Sequence, residues 1–414
     1  MAEYHMKNIP KLILLTLLAL HLSIITSCSL KDIKNQSEAI EKSITITGNI
    51  DKTRSAPGVA FAVLLKEEGG VARWINDFRV GKDGKYTFYA TPGNYIVGVF
   101  IDQNNDRLYQ DDEPANYTKH PNGDPIVYTM GSGEVFEAPL LSVMSKIQRP
   151  RQREIIKDIN AGLANVGAIA SISDPKFDLI NGKMGMWRPL DFVGQVGGGL
   201  FLLQAYEQEK IPVIFVHGMS GTPKNWARAI DGLDKEAYQP WVFYYPSGAR
   251  LDMVSNFLLK SVNQLSAQYQ FKEFYVAAHS MGGLVTRSFV KKYLTSGANA
   301  KLGKVITVNS PMNGMKSAET GVSRSPIVVP AWRDVATNSE FVSDLRQWTW
   351  PSDIPYYLAF SYLSGESGDG VVDLSSQIPR HLQKEAHVLR GFNAEHTEAL
   401  SDPVFLKAFL NWLN

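Results

Sequence analysis

One serine stands where a strand runs into a helix. Ala277-Ala278-His279-Ser280-Met281-Gly282-Gly283-Leu284-Val285 is entered by a β-rich run and left by a helical run through Tyr293. A strand–turn–helix of this kind holds a serine on a sharp, strained turn above a sheet. The residues two positions either side must be small, so that strand and helix pack closely. Gly282 meets that demand, and Ala278 departs from glycine by one methyl group. A serine hydroxyl is a poor nucleophile until a histidine removes its proton, and a carboxylate must fix that histidine's tautomer and stabilise its charge.

His279-Ser280-Met281-Gly282-Gly283 is similar to the nucleophile elbow of many bacterial lipases and esterases of the α/β-hydrolase superfamily. A second stretch, Pro212-Val213-Ile214-Phe215-Val216-His217-Gly218-Met219, resembles the oxyanion loop of the same superfamily. That chemistry requires two backbone N–H groups aimed where charge develops on the carbonyl oxygen. By motif position these are the amides of Met219 and Met281, and His217 supports the loop more often than it acts as a base. The superfamily's chain order is nucleophile, acid, histidine. In Gly365-Glu366-Ser367-Gly368-Asp369-Gly370-Val371-Val372-Asp373, Asp369 before Gly370 resembles the acid of bacterial lipases; Asp373 is the alternative and suits a turn or cap. Of the late histidines, His387 begins an apolar run, His381 lies among charged neighbours, and His396 follows the last strand, where the base belongs.

The resemblance covers 212–413 and extends to GPI-inositol-deacylase-like hydrolases. It implies ester hydrolysis by Ser280, His396 and Asp369 through an acyl-enzyme, on an acyl ester or lipid, with no cofactor required for catalysis. The same triad also serves acyltransferases, thioesterases and amidases. A non-catalytic envelope-binding lipoprotein is the reading from a different class.

The elements that must position these residues follow from the pattern. From residue 211, apolar strand candidates at 213–216, 241–245, 274–278, 305–308, 356–360 and 387–390 alternate with helical stretches such as 251–269, whose Leu251, Val254, Phe257, Leu258, Val262 and Leu265 form one stripe. Continuous apolar strands separated by amphipathic helices predict an α/β fold with a parallel sheet covered on both faces. The segment 311–350 reads either as an apolar lid over an acyl pocket or as a surface excursion. Residues 44–145 carry short alternating strands and turns, including Lys82-Asp83-Gly84-Lys85, and predict a small antiparallel β-sandwich. This part loosely resembles prealbumin-like or carboxypeptidase-regulatory-like modules. Residues 146–210 read as a linker packed on the second domain, with a helix over 154–164. The glycine run at 194–199 reads as a flexible turn rather than a dinucleotide loop.

The 414-residue length predicts two folded domains plus a leader. A net charge of +1 gives no reason to propose nucleic acid as a partner, and zinc-type clusters and phosphate-binding loops are missing from the sequence. Lys7 and Lys11 precede a short apolar run at 12–27 that ends at Cys28, the single cysteine. Ile25-Thr26-Ser27-Cys28 resembles the bacterial lipobox; an uncleaved transmembrane anchor and an ordinary cleaved signal are the alternatives. The resemblance implies cleavage before Cys28, acylation of its sulfur and new amino group, and a membrane anchor in the cell envelope. Ser29 after it points to the outer membrane, and Met6 fits as the start. Residues 28–43 then read as a polar tether. Asp102, Asn104, Asp106 and Glu113 sit at positions 1, 3, 5 and 12 of a calcium-loop spacing. Arg107 occupies the position such loops reserve for glycine, which favours an acidic, solvated hairpin loop.

Overall fold

A computed structural model describes residues 30–104, 109–110, 112–143, 155–157 and 165–414. Cys28, Asp106 and Arg107 lie outside the described residues, as does most of the expected helix at 154–164. Its residues 155–157 are a strand, not a helix. Among the described residues no helix is long and apolar enough to cross a membrane.

Residues 30–41, expected as a tether, form a helix, α1. Docking rather than periodicity holds it. Buried Ile40 joins the core of the second domain, Gln36 Oε1 accepts the Leu190 and Asp191 N–H groups (3.1 and 3.2 Å), and Glu41 pairs with Arg250 and Arg333 (3.6 and 3.5 Å).

The β-domain contains β1 (Ile44–Asn49), β2 (Val59–Glu68), β3 (Val71–Arg79), β4 (Lys85–Ala90), β5 (Gly93–Asp102), β6 (Ala115–Tyr117), β7 (Tyr128–Met130), β8 (Val135–Glu137) and β9 (Ile155–Lys157). A three-stranded sheet, β4-β1-β8, faces a six-stranded sheet in which β6-β5-β2-β3-β9 run in order and β7 joins β5. Two pairings, β1 with β8 and β3 with β9, are parallel, so the sandwich is not purely antiparallel. Period-two alternation sends Ala60, Ala62 and Leu64 of β2 into the core between the sheets, and Phe61, Val63 and Leu65 to the other face.

The second domain comprises α2 (Leu179–Trp187), α3 (Pro189–Gln195), β10 (Gly199–Leu202), β11 (Ile211–Val216), α4 (Ala227–Asp231), β12 (Tyr238–Tyr244), α5 (Leu251–Tyr269), β13 (Glu273–His279), α6 (Met281–Tyr293), β14 (Lys301–Val308), α7 (Lys316–Arg324), α8 (Pro330–Val335), α9 (Glu340–Gln347), β15 (Tyr356–Tyr362), α10 (Leu374–Gln377), α11 (Arg380–Glu385), β16 (Val388–Asn393) and α12 (Pro403–Leu413). Its seven strands run β10-β12-β11-β13-β14-β15-β16, all parallel except β10. Both faces are covered: Phe274, Val276 and Ala278 of β13 enter one core, and Tyr275 and Ala277 the other. The sheet therefore starts at Gly199, inside the expected linker. The glycine run before it is a packed turn rather than a loose one. Gly197 has φ +78°, and a Cβ on Gly199 would lie 2.6 Å from Asn165 Cβ.

The domains meet along α5 and α6. Lys82 N–H donates to Thr295 O (3.1 Å), Lys260 Nζ to Asn76 Oδ1 (2.5 Å), and the Tyr89 hydroxyl to Asp252.

Candidate active site

The site lies at the carboxyl ends of the parallel strands, where β13 turns into α6. Ser280 sits between them at φ 55° and ψ −131°, a conformation that strains any residue bearing a Cβ by about 1–3 kcal/mol. Two backbone bonds hold the turn: Ser280 N–H donates to Val308 O (2.8 Å) and Gly283 N–H to Ser280 O (2.9 Å). A Cβ on Gly282 would lie 2.5 Å from His217 O, and one on Gly218 would lie 2.8 Å from Ser280 Cβ. The two glycines let the elbow and the loop after β11 touch. Fully buried Ala278 shows that its extra methyl is accommodated.

His396, on the loop between β16 and α12, reaches Ser280 with Nε2 2.9 Å from Oγ, while Nδ1 lies 2.7 Å from Asp369 Oδ2. Nδ1–H donates to the carboxylate, which leaves Nε2 free to accept the serine proton. Asp369 Oδ1 accepts the N–H groups of Val371 and Val372 (2.9 and 2.7 Å), and the Asp369 side chain is fully shielded from solvent. Burial works to raise the Asp369 pKa. The His396 contact and the two amides outweigh it and hold the carboxyl below its usual range.

The other predicted residues fall elsewhere or play other parts. His217 is buried, with burial pushing its pKa down to about 4. It stacks on Tyr245 (centroids 4.2 Å apart), Nδ1–H donates to Gly218 O (2.8 Å), and its own carbonyl accepts the Tyr245 hydroxyl (2.6 Å). This neutral ring braces the loop. Asp373 stands at the start of α10, accepting the Ser367 hydroxyl (3.1 Å). His381 is half-buried on α11, and His387 lies exposed at the opposite end of the sheet, just before β16. Met281 follows Ser280 as the first residue of α6, and Met219 follows Gly218, whose added Cβ would lie 2.8 Å from Ser280 Cβ. Two backbone N–H groups are what an oxyanion needs.

Two residues that pattern reasoning missed converge on the His396 carbonyl. His279 Nε2–H and Asn309 Nδ2 each donate to it at 2.9 Å. Burial, then the neighbouring His396, pushes the His279 pKa down to about 3, so the ring stays neutral. Asn309 follows β14 in a left-handed conformation (φ 51°). His279 was visible inside the elbow motif, but nothing in the spacing marks Asn309.

The 311–350 segment divides. Val329, Ala331, Val335, Val342 and Leu345 are core residues, Asp334 binds Arg250 and the Leu251 N–H, and Arg287 donates to Leu345 O and Trp348 O. Only α7 and the residues that follow it to 328 are largely exposed. In the candidate calcium loop, Glu113 accepts the Gln103 and Gln110 N–H groups with its two oxygens (2.9 and 3.1 Å), so it closes the loop on backbone donors. Among the described residues no group of three or more His, Cys, Asp or Glu is placed to hold a metal ion.

Residues 245–403 match a family described as alpha/beta hydrolase of unknown function (DUF915). No curated protein matches the chain. Solved structures similar to it include the lin2722 product of Listeria innocua, at 17% identity and TM-score 0.40 over 50% of this chain and 94% of that one. Another is the lipase BlEst2 of Bacillus licheniformis, at 16% identity and TM-score 0.42 over 51% and 95%. Est1E of Butyrivibrio proteoclasticus is a third, at 14% identity and TM-score 0.39 over 52% and 91%.

Proposed function

The C-terminal half of the chain is an α/β hydrolase in fold, and from that premise we propose that it is a serine hydrolase of carboxylic esters working through an acyl-enzyme. The observation that carries the reading is the unbroken relay from Asp369 through His396 to a strained Ser280. Ser280 Oγ attacks the ester carbon as His396 Nε2 takes its proton. The Met219 and Met281 N–H groups hold the oxyanion, each contributing roughly 10²–10³ in rate. The C–O bond breaks, and the His396 proton passes to the departing alcohol. Water then attacks the acyl-serine, giving its proton to His396, and Ser280 is released with its hydrogen restored.

A fluorophosphonate probe tests this directly. The expected result is covalent labelling of the folded protein at Ser280, lost in Ser280→Ala together with ester turnover. Equal labelling of wild type and variant sinks the reading.

The lipobox at Cys28 supports the further proposal that the enzyme is lipid-anchored in a bacterial envelope, at the outer membrane, and acts on acyl esters or lipids there. Mass analysis of the N-terminal peptide decides it: acyl groups on Cys28 are expected, and an unmodified cysteine overturns the anchor.

A further inference from the structure

We propose that α2 and α3 form a surface that docks on a lipid bilayer and sets the active-site mouth against it. This rests on the lipid-anchor reading of Cys28 and adds the orientation of the bound enzyme.

The helices have two unlike faces. Inward, α2 backs onto the loop after β11: a Cβ on Gly182 would lie 2.5 Å from Ser220 O, and Ser220 Oγ donates to Met186 Sδ (2.7 Å). Outward, the hairpin presents large apolar side chains to solvent, with Leu179 56%, Ile180 67%, Leu190 47% and Val193 54% exposed. Trp187, also exposed, meets Trp332 of α8 edge-to-face at 5.8 Å. This apolar face lies about one helix diameter, ~10 Å, from the Met219 loop. Five large apolar side chains exposed on two consecutive short helices beside the loop after β11 mark an interaction surface rather than chance exposure.

The path of the chain says what covers it. Gln36 of α1 is bonded to the amides of Leu190 and Asp191 at the start of α3. Residue 30 is six residues earlier, ~9 Å along a helix. Cys28 is two residues beyond, at most ~7 Å of extended chain. A membrane that holds an acylated Cys28 is thus within roughly 16 Å of the patch by the same spacings. Exposed Lys183 of α2 and Lys31 of α1 suit anionic headgroups.

The test is flotation of residues 29–414, which retain every described element, with vesicles of phosphatidylethanolamine and phosphatidylglycerol. Without any acyl group, wild type is expected to float. Leu190→Glu/Val193→Glu is expected to lower the bound fraction at least tenfold, and Val135→Glu, at a still more exposed position (72%) on the β-domain, to leave it unchanged. Equal flotation of the double variant and wild type, no flotation of wild type, or an equal loss in Val135→Glu overturns the surface. So does a double variant that turns a dimer into a monomer while still floating, since the face then belongs to a second copy. Because the 29–414 fragment lacks Cys28, an unacylated cysteine in the full chain removes the anchor without deciding the flotation result.

Discussion

Asp369 and Asp252 each hold a basic side chain, and the two pairs do opposite work. Asp369 meets His396 at 2.7 Å at the carboxyl end of the sheet, fully shielded from solvent. Asp252 meets Lys292 at 2.5 Å, 46% exposed, where α5 and α6 face the β-domain. Lys292 spends its donors on Asp252 Oδ1, Asp252 O and Ser255 Oγ. The imidazole of His396 has a second nitrogen left, and it faces Ser280. A base held by a carboxylate can act on a nucleophile only when it keeps a second nitrogen free to face it. The saturated pair is a fastener.

Breaking the first pair has the largest expected effect. In Asp369→Asn the side-chain oxygen can still accept from Val371 and Val372, but the amide favours the wrong imidazole tautomer. The expected loss is about 10⁴-fold in kcat with fold retained. A loss under tenfold in steady-state ester hydrolysis makes Asp369 a loop brace only.

Next comes the support behind His396. Asn309→Gly keeps the left-handed backbone while removing one of two donors to the His396 carbonyl. We expect kcat to fall about 10- to 100-fold with KM nearly unchanged, because a small displacement of the base is costly. A rise in KM at constant kcat contradicts a positioning role.

The third test concerns protons. His279 and His217 have folded pKa values near 3 and 4, below the unfolded value of about 6.5. Above about pH 6.5 both states are neutral and nothing changes. As pH falls below it, only the unfolded chain binds these protons, so stability drops by about 2 kcal/mol per histidine by pH 5. Asp369, with its pKa depressed, adds a separate loss only below about pH 4. Urea unfolding of His279→Gln is expected to show a shallower decline between pH 6.5 and 5 than wild type. An unchanged slope means the ring is protonated in the fold.

How far these features were legible differs between the same two regions. Ser280, Asp369 and His396 were readable because a nucleophile elbow demands small neighbours, and a parallel sheet delivers its loops in chain order. The strands at 213–216 and 274–278 and the helix at 251–269 were readable from apolar runs and one stripe. Residues 30–41 were not, since a polar helix held by Gln36, Ile40 and Glu41 leaves almost no periodicity. Nor was β10, whose four residues earn their place only by pairing with β12. The domain interface was silent for the same reason: Tyr89 and Asp252 are 163 positions apart and belong to no motif.

That silent interface is where the smallest effect is expected. The Tyr89 phenol is pushed well up by burial, so it remains a donor, and it gives its proton's hydrogen bond to Asp252 while accepting Asn256 Nδ2 (3.2 Å). Tyr89→Phe removes both bonds but leaves Asp252 paired with Lys292. The loss is about 1.5–3 kcal/mol for a bond to a charged group, seen as a drop of several degrees in Tm. Ester turnover is expected to stay within twofold of wild type, because α5 and α6 are anchored to the sheet by their own apolar faces. A tenfold fall in turnover contradicts the fastener, since a side chain of the β-domain then reaches Ser280 through the amino end of α5 and the length of α6.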